Sequence, residues 1–139
     1  MLNRGLFTSA TDEWATPSKT FQDLDAEFHF TLDPCASETN HKCARYFTKE
    51  QDGLAKDWGG QIVFCNPPYG RAIAAWVRKC YEESRKPDTR VVMLIPARTD
   101  TAYFHDYIYH QAREIRFIRG RLRFNDAGPA PFPSMVVVF

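Results

Sequence analysis

The sequence lacks several features that mark whole protein classes, and each absence removes one class. No long apolar run is present. The longest, residues 91–97, contains Pro96 and falls far short of the ~20 residues that a membrane-spanning helix needs. Residues 1–10 show no cationic stretch followed by an apolar core, so no secretory leader is expected. Cysteine pairs are also missing. Cys35, Cys43, Cys65 and Cys80 lie far apart with no Cys-x-x-Cys, so no zinc site is expected and they read as buried or free thiols in a reducing compartment. His29, His41, His105 and His110 offer no metal-ligand spacing either. Charge of one sign is absent: 18 Lys+Arg face 17 Asp+Glu, for a net charge of +1. That balance excludes a non-specific nucleic-acid coat protein but leaves room for a local basic patch. These absences point to a soluble, cytoplasmic protein without a metal.

What is present suits one globular domain. A chain of 139 residues buries roughly 70% of the surface it would expose unfolded, and dividing it would leave neither half a core. With 44% hydrophobic and 25% charged residues, disorder is excluded. Residues 1–11 read as a flexible entry without periodicity, and residues 12–139 as a single domain. No internal repeat is visible.

Hydrophobic periodicity then places the elements. Thr16-Pro17-Ser18 reads as a helix start, with Phe21, Leu24 and Phe28 on one face of a helix over 17–28. Residues 30–32 read as a short strand halted by Asp33-Pro34, residues 38–44 as a short helix, and 44–48 as a brief strand. Asp52-Gly53 is a turn signal. Ile62-Val63-Phe64-Cys65 is a continuous apolar run, the pattern of a strand covered on both faces. A helix over 72–86, a second buried strand over 90–96 and an aromatic-rich helix over 102–113 follow. Strands are expected over 115–118, 121–124 and 135–139, with an irregular loop through Pro129, Pro131 and Pro133. Buried strands alternating with helices predict a mostly parallel sheet with helices on both faces. Ligands in such folds sit beyond the carboxyl ends of strands.

The most informative segment is Asn66-Pro67-Pro68-Tyr69, immediately after the run 62–65. Two prolines remove two backbone donors and hold Asn66 and Pro67 extended, so the local carbonyls stay available as acceptors. Asn66 adds a side-chain acceptor, and Tyr69 a flat ring able to lie on a base. Together they suit an exocyclic amine whose two protons are held while its lone pair points outward at an electrophilic methyl. A rigid turn with a surface tyrosine is the bland alternative. Arg119, Arg121 and Arg123 alternate with Gly120, Leu122 and Phe124, which at strand period gives a basic face for phosphates. A solvated strand face is the alternative there. Arg98, just beyond the strand at 90–96, lies on the expected rim.

The Asn66-Pro67-Pro68-Tyr69 motif resembles the catalytic motif of S-adenosylmethionine-dependent amino-methyltransferases, above all those acting on adenine in DNA. Trp14-Ala15-Thr16-Pro17, Leu32-Asp33-Pro34-Cys35-Ala36, Asp52-Gly53-Leu54, Trp58, Trp76, Arg98-Thr99-Asp100-Thr101 and Pro131-Phe132-Pro133-Ser134 complete, in order, a resemblance to the small phage and prophage family of adenine-N6 DNA methyltransferases. It covers about residues 12–139. It implies a Rossmann-like methyltransferase fold with an antiparallel last strand, S-adenosylmethionine as cofactor, double-stranded DNA as partner and a bacterial host cytoplasm. By the same resemblance Asn66, Pro67, Pro68 and Tyr69 are catalytic, and Asp33, Pro34, Cys35 and Ala36 form the cofactor turn, here without the family's usual glycines. Trp14, Thr16 and Pro17 form its amino-terminal cofactor segment, and Asp52, in preference to Glu50, faces the adenosine. The target base must be flipped out of the duplex. Target recognition falls to loops such as 98–104 and 124–134 or to a second subunit, a homodimer included. Two other readings stay open at this point: a protein-glutamine amide methyltransferase, and a non-catalytic DNA-binding relic of the fold.

Overall fold

The computed structural model describes residues 14–124 and 128–139. The expected flexible entry at 1–11 therefore lies outside the described residues, as does the middle of the 124–134 loop. Helix α1 spans Ser18–Phe28, with Pro17 at its N-cap and His29 closing it in a left-handed conformation at φ 58°. Strands β1 (Asp33–Ala36) and β2 (Tyr46–Thr48) pair in parallel. A single 3-10 turn, Gly53–Ala55, leads to β3 (Ile62–Cys65), and α2 (Ile73–Ser84) follows. Strand β4 (Arg90–Pro96), a π-turn at Phe104–Ile108, β5 (Glu114–Phe117) and β6 (Ser134–Val138) complete the order.

The main sheet has strand order β3-β4-β6-β5, and a single bridge from Leu32 to Val63 joins β1 to its edge. Side-chain alternation along β3 assigns the two helices to opposite faces. Phe64 meets Phe21 of α1 at 5.2 Å between rings, whereas the buried Cys65 thiol, on the opposite face, neighbours the free Cys80 thiol of α2. Val91 to Ile95 of β4 are fully buried between these layers.

The sheet departs from expectation in direction. Within the four-stranded sheet only β3 and β4 pair in parallel; β6 is antiparallel to both β4 and β5, so that sheet is mostly antiparallel rather than mostly parallel. The returning strand sits inside the sheet, between β4 and β5, and its apolar run reads the same in either direction. Four local expectations also change. The strand expected at 30–32 falls at Asp33–Ala36, because Asp33 N–H bonds Arg45 while Leu32 makes only the isolated bridge. Residues 38–44 form bends instead of a helix, since Ser37 and Asn40 close a tight turn and the Lys42 amide is drawn onto Asp33. The helix expected over 102–113 is shortened to residues 102–108, its last five in π form, and is ended by extended Tyr109 and by His110 at φ 65°. Residues 121–124 form no strand. Gly120 turns the chain at φ 76°, and one backbone bond, Ala130 N–H to Leu122 O, ties the segment to its neighbour.

Two buried polar features brace the site from below. The Glu83 carboxylate accepts from the Trp58 amide at 2.6 Å and pairs with Lys86 at 2.8 Å and Lys79 at 3.3 Å. Burial pushes its carboxyl up, but the Lys86 ammonium, the Trp58 amide and Lys79 outweigh that, holding it below its ordinary range. Trp58, fully buried, donates its ring N–H to Gly53 O at 3.0 Å. Gly53 must be glycine, because a Cβ there would collide with the Pro34 carbonyl oxygen and press on Trp76.

Candidate active site

Asn66 leaves β3 half-buried and reaches back across the chain to the segment before α1. Its side-chain amide donates to the Trp14 carbonyl and, at 2.8 Å, to the Thr16 hydroxyl. Its Oδ1 lies 2.7 Å from the Tyr69 hydroxyl, which also lies 3.0 Å from the Leu94 carbonyl in β4. Turning the amide over would set Oδ1 against the Trp14 carbonyl, oxygen against oxygen, so the network fixes which end is which. Pro67 is buried and Pro68 half-buried. Their carbonyls take no backbone hydrogen bond among the described residues, as two consecutive prolines predict.

Tyr69 differs from its expected place. The ring does not lie open for a base; it is 5% exposed and packs edge-on against Phe132 at 5.7 Å and Phe124 at 6.4 Å. Burial pushes its hydroxyl well above the ordinary range, so the group stays a donor. Trp14, half-buried, meets the same two phenylalanines at 5.2 and 5.4 Å, so Trp14, Tyr69, Phe124 and Phe132 form one aromatic wall beside the Asn66 amide. Sequence reasoning gave Phe124 and Phe132 no role in this wall. The available signal was Phe132 between two prolines, a bulky ring in a segment too rigid to turn it away.

Asp33 is placed differently from Asn66. Both carboxylate oxygens are taken by backbone amides: Oδ1 by Cys35 at 3.1 Å and Oδ2 by Lys42 at 2.9 Å. Burial is the stronger influence and raises its carboxyl above the ordinary range against those two bonds. Asp33 therefore shapes the Pro34-Cys35-Ala36 turn. Pro34 is buried, while Cys35 and Ala36 are half-buried. The Cys35 and Cys65 sulfurs sit 3.6 Å apart as free thiols, and burial pushes the Cys35 thiol up. Asp52 is exposed, in a left-handed conformation, with Oδ1 on the Leu54 amide; the Gly53 contact with Pro34 brings it to the edge of β1. Pro17 is half-buried and Thr16 buried, directly before α1.

The four arginines line no regular strand. Arg98 is exposed just past β4, and its carbonyl accepts from Thr101 at 2.8 Å. Arg119, Arg121 and Arg123 are exposed, Leu122 is half-buried and Phe124 is buried. The alternation of charge and core thus survives without a strand. Phe124 anchors the arginine segment to the aromatic wall, and Arg121 donates to Ala130 O at 3.2 Å. No metal-holding group of His, Cys, Asp or Glu exists among the described residues.

The chain as a whole is similar to known proteins. Residues 5–132 match the family model described as DNA N-6-adenine-methyltransferase (Dam). The chain is 34% identical over 140 residues to the DNA N-6-adenine-methyltransferase of Haemophilus phage HP1, covering 94% of this chain and 80% of that protein. Against the DNA N-6-adenine-methyltransferase of Escherichia phage T1 it is 33% identical over 113 residues, covering 80% of this chain and 46% of that protein. A match over nearly the whole length, with an Asn-Pro-Pro-Tyr amide set against an aromatic wall, places this chain in the Dam family of DNA adenine-N6 methyltransferases.

Proposed function

We propose that Asn66 is the centre at which this chain methylates the exocyclic amine of adenine in double-stranded DNA. The observation that carries the reading is the state of the Asn66 amide. Both of its N–H protons and one lone pair of Oδ1 are engaged, leaving one lone pair for an incoming donor. With the Pro67 carbonyl as second acceptor, the two protons of an adenine amine are held and its nitrogen lone pair is left facing outward. No catalytic base is required, because the amine attacks first and loses its proton afterwards. Catalysis is then positioning and electrostatics.

The residues at the edge of β1 fit S-adenosylmethionine. Asp52 has one carboxylate oxygen that no described group holds, suited to ribose hydroxyls, and Cys35 and Ala36 are small enough for close approach. Trp14, Thr16 and Pro17 stand on the other side of Asn66. When bound, the cofactor supplies an electrophilic methyl on a sulfonium. Asp33 holds the turn beneath it rather than touching it. Trp14, Phe124 and Phe132 exclude water from the amine. Arg98, Arg119, Arg121 and Arg123 contact phosphates, which position the duplex without reading sequence.

The test is transfer of labelled methyl from S-adenosylmethionine to duplex DNA, followed by nucleoside digestion. N6-methyladenosine as the labelled product is expected. Label on cytosine, or none with a folded protein, would overturn the reading.

A further inference from the structure

We propose that β5 is the seam of a two-fold dimer, in which the open edge of the four-stranded sheet pairs with the same edge of a second copy, antiparallel and centred on Ile115. The strand order β3-β4-β6-β5 puts β5 at one end of the sheet, with β6 on its inner side and no further strand on its outer side among the described residues. The ladder fixes which backbone groups point outward. Strand β6 serves two neighbours, and its residues alternate between them. Phe139 N–H to Val91 O and Ala97 N–H to Pro133 O extend the β4–β6 ladder, so the odd-numbered residues of β6 bond β4. Ser134, Val136 and Val138 are left for β5, in line with the bond from Ile118 N–H to Ser134 O. In that register Val136 faces Arg116 and Val138 faces Glu114. The N–H and C=O groups of Ile115 and Phe117 therefore point outward, an unpaired row of the kind that recruits a further strand.

The side chains select the partner strand. Glu114 and Arg116 share one face of β5, and Arg116 is held there: its guanidinium donates to Glu27 of α1 at 2.7 and 2.6 Å and to Glu114 at 2.9 and 3.0 Å. A guanidinium has five N–H groups, so one, on Nη1, is left over. Three two-fold pairings join the outward groups of Ile115 and Phe117 to one another. Centring on Arg116 sets Arg116 against itself, and centring on Phe117 sets it against Ile118. Centring on Ile115 sets Glu114 opposite Arg116 of the second copy, and symmetry repeats the pair. On the other face Phe117 is 62% exposed, the most exposed large apolar side chain among the described residues. The same centring brings Phe117 diagonally beside Ile115 of the second copy, so that four apolar side chains form one patch. Two four-stranded sheets then join into one of eight strands, with the β3 strands and Asn66 toward its opposite ends. Four residues a side make a small interface, and the complex is a weak, concentration-dependent one.

The experiment is sedimentation velocity on the full chain over protein concentrations up to about a millimolar, with the melting temperature as the check on folding. The parent should associate to a dimer and no further. Glu114→Arg sets arginine against arginine and Arg116→Glu sets glutamate against glutamate. Each should raise the dimer dissociation constant tenfold or more, because the symmetry counts every change twice. An equimolar mixture of the two variants restores both opposite-charge pairs and should dimerise as the parent does. Ile115→Pro removes an outward N–H, leaves the β6 ladder whole and should abolish the dimer. Arg116→Glu also breaks the bond to Glu27, so if it melts early the test rests on Glu114→Arg and Ile115→Pro, which spare Glu27. A parent that is monomeric throughout, a dimer unmoved by Glu114→Arg and Ile115→Pro, or a mixture of folded variants that stays monomeric would overturn the proposal.

Discussion

Asp33 and Asn66 make a pair worth setting side by side. Asp33 opens β1 and Asn66 leaves the adjoining β3, and each has a short polar side chain. Their fates differ. Asp33 gives both oxygens to backbone amides of its own turn and is left with a carboxyl that burial raises. Asn66 is bound by side chains and a carbonyl from distant segments, which fix its orientation yet leave one acceptor site open. The difference teaches that a short polar side chain beside a strand does not by itself decide chemical function. What differs is the origin of the partners: the Asp33 oxygens are held by amides of the turn that they shape, whereas the Asn66 amide is held by groups from other segments and keeps an acceptor lone pair at the proposed site.

The comparison breaks most visibly at Asn66. Asn66→Ala removes the acceptor proposed for the transition state, and kcat should fall about a hundredfold, equivalent to about 3 kcal/mol, with S-adenosylhomocysteine affinity retained. Steady-state kinetics with calorimetry checks it. Next in size is the brace beneath. Glu83→Ala leaves the buried Trp58 amide and Lys79 without their partner, and should lower stability by roughly 2–4 kcal/mol, read by urea denaturation. Asp33→Ala frees two backbone amides and loosens the cofactor turn. It should raise the KM for S-adenosylmethionine about tenfold, leaving kcat at saturation close to the parent.

The pH dependence sharpens the contrast, because the two buried carboxyls run in opposite directions. The folded-state value for Glu83 is depressed, so its contribution to stability is complete above the ordinary carboxylate range and is lost as pH falls through the folded value. For Asp33 the folded-state value is raised. The folded chain then holds a proton that the unfolded chain has released, and the associated stability is present in acid and declines as pH rises across that interval. Denaturation midpoints from pH 3 to pH 7 for Glu83→Gln and Asp33→Asn should show the first losing the acid-side slope of the parent and the second losing the opposing one. The smallest expected effect is at Arg121. Arg121→Ala should lower the slope of log affinity for duplex DNA against log salt by roughly 0.9, and the double change with Arg119 by about twice that. Target preference should be unchanged. An unaltered slope would reduce the arginine segment to solvated surface.

Much of the scaffold was legible. The run 62–65 and the run 90–96 are continuous, β-branched and bounded by turn residues, and both strands fall at those bounds. The spacing of Phe21, Leu24 and Phe28 placed α1 within one residue of its observed start. The antiparallel last strand was implied by the family resemblance and is observed, but hydrophobicity alone did not show it, since that strand, fully buried, carries no mark of which way it runs. The helix expected at 38–44 failed, and that at 102–113 stopped at residue 108, because side-chain contacts in the first and the left-handed His110 in the second outweigh a weak local propensity. In the site, the Asn66 acceptor and the missing backbone donors of its prolines could be read from residue chemistry, and the role of Asn66 is a proposal. Its partners could not be read. Thr16 and Trp14 lie some fifty residues away, and the burial of Tyr69 depends on the packing of Phe124 and Phe132.

The most direct test of the account is single-turnover methyl transfer to duplex DNA by Asn66→Ala and Asp33→Ala, measured in parallel across a range of S-adenosylmethionine concentrations. The account predicts that Asn66→Ala stays about a hundredfold slow at every concentration, whereas Asp33→Ala approaches the parent rate once cofactor saturates. It would be contradicted by the reverse, a rate for Asn66→Ala that recovers with cofactor or one for Asp33→Ala that does not.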